Sequence, residues 1–262
     1  MRPNSLRTTM AGGAVAANAW ISNGGTYAAE ALSHMGFDSV TVDLQHGMFG
    51  IDTAIDLLQA VSAGPAIPMV RCSSRDSAEI GKLLDAGAYG IICPSIDDAP
   101  ACAEFVSFCR YPPAGTRSFG PSRGLLYGGA DYVDFADETI LTWAMVESSR
   151  ALANLEEIVD VDGLDGIYIG PNDLALSLGE PAGGAISPRV REAIEVIARA
   201  THSAGKYVGA FCGGEDAARD LVDLGLDLIT PGNDISYLRD AATRRLDAVR
   251  GHRTLTADAS GY

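Results

Sequence analysis

The chain has 262 residues, of which 47% are hydrophobic, 20% charged and 7% aromatic; this is the composition of a soluble globular protein with ample apolar material for one large core. Thirty-four acidic residues against 19 basic ones leave a formal charge of −15, which argues against an extended phosphate-backbone footprint and hence against nucleic acid or anionic membrane as partners. The five cysteines (Cys72, Cys93, Cys102, Cys109, Cys212) form no C-x-x-C pair and no zinc-ligand spacing, so reduced thiols in the cytoplasm are expected and no disulfide or structural metal is needed.

At the N-terminus, Arg2, Arg7 and the sequence down to Ala17-Asn18-Ala19 imitate a signal peptide only faintly. The apolar part is short and glycine-rich and reads better as a first strand. No apolar stretch approaches membrane-spanning length. From there strands and helices alternate. Strand-type runs at 14–21, 40–44, 67–71, 90–93, 140–146, 166–169, 207–211 and 226–230 are each followed by a segment of helical period, at 27–35, 53–62, 78–86, 99–110, 151–159, 190–203, 216–224 and 235–249. Several strands are nearly continuous apolar runs, as parallel strands covered on both faces must be. Gly36, Gly64, Gly87, Gly163, Gly205, Gly225 and Gly251 stand where helices should end.

Eight β-then-α units, with no G-x-G-x-x-G after the first strand, predict a single (β/α)8 barrel over residues 1–253 rather than an open doubly wound sheet. Residues 254–262 read as a loose tail. The longest irregular stretch, 111–130, falls between a helix and the next strand, so simple topology brings it in at the bottom of the barrel.

Barrel chemistry sits at the C-terminal ends of the strands. There the second strand supplies Asp43 and His46, the third Arg71, the fifth Glu147 and the sixth Gly170-Pro171-Asn172-Asp173. Two carboxylates on adjacent strand ends are costly together unless a cation lies between them, and oxygen-only ligation suits Mg²⁺ or Mn²⁺, with Co²⁺ also compatible. Either carboxylate alone reads equally well as a helix cap. His46, the one histidine of four at such a position, suits a general base with Asp43 fixing its tautomer, although a lone histidine is more often satisfied by backbone. Arg71 suits a carboxylate or a developing enolate, or else a structural ion pair to Asp43 or Glu147. Lys82 and Lys206 are the only lysines; neither falls at the mouth, so carbonyl chemistry here would need a metal rather than a Schiff base.

These residues make the sequence resemble the HpcH/HpaI aldolase family, the metal-dependent pyruvate aldolases, from Trp20 to about Arg250. The resemblance is carried by Asp43-Leu44-Gln45-His46, Val70-Arg71, Leu84-Asp85-Ala86-Gly87-Ala88, Arg110-Tyr111-Pro112-Pro113-Ala114-Gly115-Thr116-Arg117, Val146-Glu147-Ser148 and the run from Gly166 to Leu174. It implies metal ligation by Glu147 and Asp173, a His46 base backed by Asp43, enolate stabilisation by Arg71, and a pyruvyl carboxylate resting on the amides around Asn172 and Asp173. It also implies a hexamer with helix 235–249 swapped between subunits. Segment 117–124 would help cover the site, with Trp20, Phe119 and Phe211 on the aldehyde side and Arg123 available to a distal carboxylate. Two positions depart from the family pattern: Gln45 replaces an acidic residue and Met145 a glutamine.

The expected activity is reversible cleavage of a 4-hydroxy-2-oxo acid to pyruvate and an aldehyde, with oxaloacetate decarboxylation as a side reaction. An acyl-CoA lyase of the citrate-lyase β type is the second reading, disfavoured by the acidity and the scarcity of lysine. A non-catalytic barrel that binds 2-oxo acids is the third.

Overall fold

A computed structural model describes residues 1–251. The expected tail at 254–262 lies outside the described residues. Eight parallel strands, β1 (Ala16–Ile21), β2 (Ser39–Asp43), β3 (Ile67–Arg71), β4 (Gly90–Cys93), β5 (Leu141–Val146), β6 (Gly166–Ile169), β7 (Tyr207–Phe211) and β8 (Leu228–Thr230), pair in chain order and close into a barrel. All eight expected strands are present, with ends shifted by no more than two residues.

The helices, in chain order, are α1 (Ser5–Ala11), α2 (Thr26–Ser33), α3 (Ile51–Ser62), α4 (Ser77–Asp85), α5 (Ala99–Cys109), α6 (Ser122–Gly128), α7 (Tyr132–Thr139), α8 (Ser149–Ala153), α9 (Leu155–Val159), α10 (Pro171–Ser177), α11 (Pro188–Ser203), α12 (Glu215–Asp223) and α13 (Asp234–Arg250). Five of these thirteen start at side-chain caps: Asp76, Asp98, Ser148, Ser187 and Asn233 each accept a backbone N–H of the first turn. Six of the seven glycines expected at helix ends do have left-handed φ. Gly64 is the exception, and close approach explains it: a Cβ there would lie 2.3 Å from Ser33 Oγ. No described helix is long and apolar enough to cross a membrane.

The stretch 111–130 is not irregular throughout, because 122–128 coils into α6; its glycines and serines hid that helix from the hydrophobic period. Likewise the single helix expected at 151–159 breaks at Asn154 into α8 and α9. The whole stretch packs at the bottom, as topology requires. Arg117 (3% exposed) donates Nη2 to Asp85 Oδ1 at 2.8 Å and Nη1 to Tyr132 Oη at 3.1 Å, and its guanidinium lies 4.4 Å from the Tyr111 ring centroid. Arg110 donates to the Ile140 and Gly163 carbonyls, to Thr142 Oγ1 and to Asp165 Oδ2. The R-Y-P-P-A-G-T-R and L-D-A-G-A motifs are thus two halves of one structural brace. Helix α1, unheralded in the sequence, closes the same end: Leu6 and Met10 are buried, Asn4 donates to the Tyr89 and Thr139 carbonyls, and Arg7 reaches Asp165 at 2.7 Å.

A polar layer crosses the barrel axis between this base and the mouth. The Asn18 amide lies within hydrogen-bond distance of Thr230 Oγ1, Ser39 Oγ and Thr41 Oγ1 (2.8, 2.8 and 3.0 Å), and Tyr168 Oη is 2.6 Å from Thr230 Oγ1. Above it opens the site.

Candidate active site

Register places the first two functional residues. Asp43 and Arg71 end adjacent strands as direct ladder partners. Arg71 Nε donates to Asp43 Oδ1 at 2.8 Å and Nη2 to Oδ2 at 2.6 Å, a bidentate pair in which both residues are buried. Trp20, on the next strand, adds Nε1–H to Asp43 Oδ2 at 3.1 Å and slides its ring under the guanidinium, 4.9 Å from the centroid. Burial opposes ionisation of Asp43, but the hydrogen bonds and charge of Arg71, with Trp20, outweigh it and hold the carboxyl below the usual aspartate range. Burial opposes the charge on Arg71 as well, and Asp43 keeps it raised. Two of the five guanidinium N–H groups are committed to Asp43, and Arg71 lines the cleft with the rest.

Glu147 follows β5 and is 9% exposed. Its Oε1 accepts the backbone N–H of Ser95 at 2.8 Å and the Ser95 hydroxyl at 3.3 Å. Gly170 keeps Oε2 clear, since a Cβ at that position would sit 2.7 Å from it. Burial lifts the Glu147 carboxyl above the ordinary glutamate range and the negative charge of Asp173 adds to this, against the Ser95 bonds and Arg71. Asp173, in the first turn of α10, lines the cleft. Two carboxylates that repel each other across a partly buried mouth are the donor set a hard cation relieves. Among the described residues no cluster of three or more histidine, cysteine, aspartate or glutamate side chains is poised for a metal, so a cation here would complete its shell with water and substrate oxygens.

The cleft encloses about 750 Å³. Trp20, Tyr168, Phe211 and Met145 form its apolar side, with Trp20 stacked 5.7 Å from Tyr168 and edge-on to Phe211 at 5.8 Å. Gly170, Pro171 and Asn172 line the side opposite Arg71's strand. Sequence reasoning missed the outer rim, where α12 begins at Gly214 and where Asn233, Ser236 and Arg239 enter from α13. It also missed Ser95, although the rule that found the other residues, position just beyond a strand's C-terminal end, covers it too.

Five expectations are corrected. The Asp43 carboxylate is committed to Arg71 and Trp20, and the bond it makes to His46 is to the backbone N–H, at 3.3 Å, so it fixes the loop and not the imidazole tautomer. His46 itself is exposed on that loop, and the cleft lining stops at Asp43 on this side. Phe119 does not join Trp20 and Phe211: it is 75% exposed at the base, tilted against Tyr111. Segment 117–124 therefore does not cover the cleft of its own chain, and Arg123 is spent there too, donating Nη1 to the Ala86 carbonyl at 2.6 Å. Lys206 is likewise at the base, bonded to the Val161 and Leu164 carbonyls. No lysine lines the cleft.

The family model for HpcH/HpaI aldolase/citrate lyase matches residues 18–241. The chain belongs to this family. It is an enzyme of the aldolase type, a carbon–carbon lyase. It is 41% identical over 240 residues to a hydroxypyruvate/pyruvate aldolase of Rhizorhabdus wittichii, covering 91% of this chain and 96% of that one. It is 33% identical over 242 residues to a 4-hydroxy-2-oxo-heptane-1,7-dioate aldolase of Escherichia coli, covering 91% and 92%. Among solved structures, an HpcH/HpaI aldolase/citrate lyase family protein from Burkholderia cenocepacia superposes with a TM-score of 0.88 at 33% identity, covering 94% of this chain and 99% of the other.

Proposed function

We propose that this chain reversibly cleaves a 4-hydroxy-2-oxo acid to pyruvate and an aldehyde with the help of a divalent cation, Mg²⁺ or Mn²⁺ and by the same donor chemistry Co²⁺, held by Glu147 and Asp173. The observation that carries this reading is geometric: Glu147 Oε2 abuts Gly170, which lines the cleft together with Asp173 and a pinned Arg71, in a mouth without lysine. When bound, the cation supplies Lewis-acid polarisation of the 2-oxo group and counter-charge for the enolate.

The rest falls to groups of this protein. Backbone N–H groups of Asn172 and Asp173 orient the carboxylate of the pyruvyl half. His46, on the exposed loop beyond β2 and outside the cleft lining, meets the 4-hydroxyl end of the substrate there and accepts its proton as C4 becomes a carbonyl carbon. The C3–C4 electron pair moves into an enolate, and Arg71, held flat by Asp43 and Trp20, donates to the oxygen on which charge develops. Return of a proton to C3 yields pyruvate. The aldehyde half packs against Trp20 and Phe211. Oxaloacetate would pass through the same enolate on losing carbon dioxide, so slow decarboxylation belongs to this proposal.

Helix α13 has no buried residue along its 17 positions, and the hexamer in which it packs on a neighbouring subunit is part of this proposal. The deciding experiment is pyruvate release from a racemic 4-hydroxy-2-oxo acid by chelated enzyme, with and without added Mn²⁺. Turnover that survives rigorous chelation would remove the metal from the reaction.

A further inference from the structure

Ser95 is the one non-glycine among the described residues with a left-handed backbone, at φ 56°. A side chain in that region crowds its own carbonyl and is tolerated only where the surroundings enforce it. Here they do. The loop beyond β4 is laced to both flanks of Glu147: Ile96 N–H donates to the Met145 carbonyl at 3.2 Å, Asn154 Nδ2 to the Asp97 carbonyl at 2.8 Å and Arg150 Nη2 to Asp98 Oδ2 at 2.5 Å, while the Ser148 hydroxyl bonds the Asp97 carboxylate. The outcome is that two donors of one residue converge on one oxygen, Glu147 Oε1. The other oxygen faces the gap that Gly170 leaves open.

We infer that Ser95 is a positioning residue for Glu147: it occupies Oε1 with its N–H and hydroxyl, fixes the carboxylate rotamer, and so presents Oε2 to the cation. The inference rests on the proposed metal role of Glu147 and assigns the division of labour between its two oxygens. Ligand carboxylates are commonly held by outer hydrogen bonds in this way, and loss of such a bond weakens metal binding.

The test titrates Mn²⁺ alone into the metal-stripped full chain by calorimetry, with free Mn²⁺ followed by electron paramagnetic resonance, for wild type, S95G, S95A and E147Q. Glycine accepts the left-handed φ and keeps the N–H, so S95G removes the hydroxyl alone and remains informative if S95A folds badly. S95G is expected to bind Mn²⁺ about tenfold more weakly than wild type, with the thermal midpoint of the metal-free protein unchanged or raised. Affinity within twofold of wild type for S95G would overturn the inference, as would an S95G loss matched by a lowered metal-free midpoint, the mark of a purely structural role. Wild type that fails to bind Mn²⁺, or E147Q that binds as well as wild type, would instead overturn the metal role of Glu147, and this inference with it.

Discussion

The base and the mouth of this barrel each hold buried arginines, and the two ends treat them differently. At the base, Arg110 is distributed over four acceptors and Arg117 is sandwiched by Tyr111 and Tyr132 while paired to Asp85. At the mouth, Arg71 is tied by one edge to one carboxylate and exposes the remainder to a cleft. The base arginines face acceptors and rings away from the cleft and brace the fold, whereas Arg71 turns the same kind of guanidinium toward a space that a ligand can occupy. Motif strength in the sequence does not separate them, since the base motif is the longer of the two.

The sharpest way to break this contrast is Glu147→Gln. At the mouth it should lower kcat/KM for aldol cleavage by about a thousandfold, equivalent to about 4 kcal/mol of transition-state stabilisation, with the thermal midpoint kept or raised because two repelling carboxylates become one. A midpoint that falls with activity would make Glu147 a structural residue like those of the base. The opposite pattern is expected of Arg117→Met. Loss of the pairing partner of Asp85 should cost about 3 kcal/mol of stability, measurable as a lower urea midpoint, while kcat of the folded fraction stays within about twofold of wild type.

Gly170→Ala sharpens the comparison at smaller scale. The added methyl would press on Glu147 Oε2, and Mn²⁺ affinity by calorimetry should fall about tenfold with circular dichroism unchanged; unaltered affinity would mean that Oε2 is not the ligand atom. The smallest effect concerns pH. Because Arg71 depresses the Asp43 carboxyl in the folded state, the pair's contribution is fully present above the ordinary aspartate range near about pH 4 and is lost as pH falls through the depressed value. Urea midpoints collected across that window should fall more steeply for wild type than for Arg71→Met.

What the sequence made legible follows the same division. Strand ends were readable because apolar runs stop at Asp43, Arg71 and Glu147, and the rule that barrels work at those ends did the rest. The bidentate geometry of Asp43 and Arg71 was not readable, because it depends on which residue of β2 faces which residue of β3. Phe119 and Arg123 show a conflict between two kinds of inference. Topology put their segment at the base, while family likeness sent it to the site, and in this chain Arg117 and Asp85 hold it at the base. Helices α1, α6 and α7 went unread because seven or eight residues are too few to display an apolar period, and Ser95 because it is a small polar residue whose conformation, not identity, sets it apart.

The ladder partnership of Asp43 and Arg71 has a consequence for assembly of the chain itself. Sliding β2 by one residue against β3 would turn Val42 or Leu44 toward the guanidinium and strand a buried positive charge with no counter-ion, a fault worth several kcal/mol. The ion pair that serves the reaction therefore also proofreads strand alignment, so that a misthreaded barrel is penalised at the very spot where it would have been inactive.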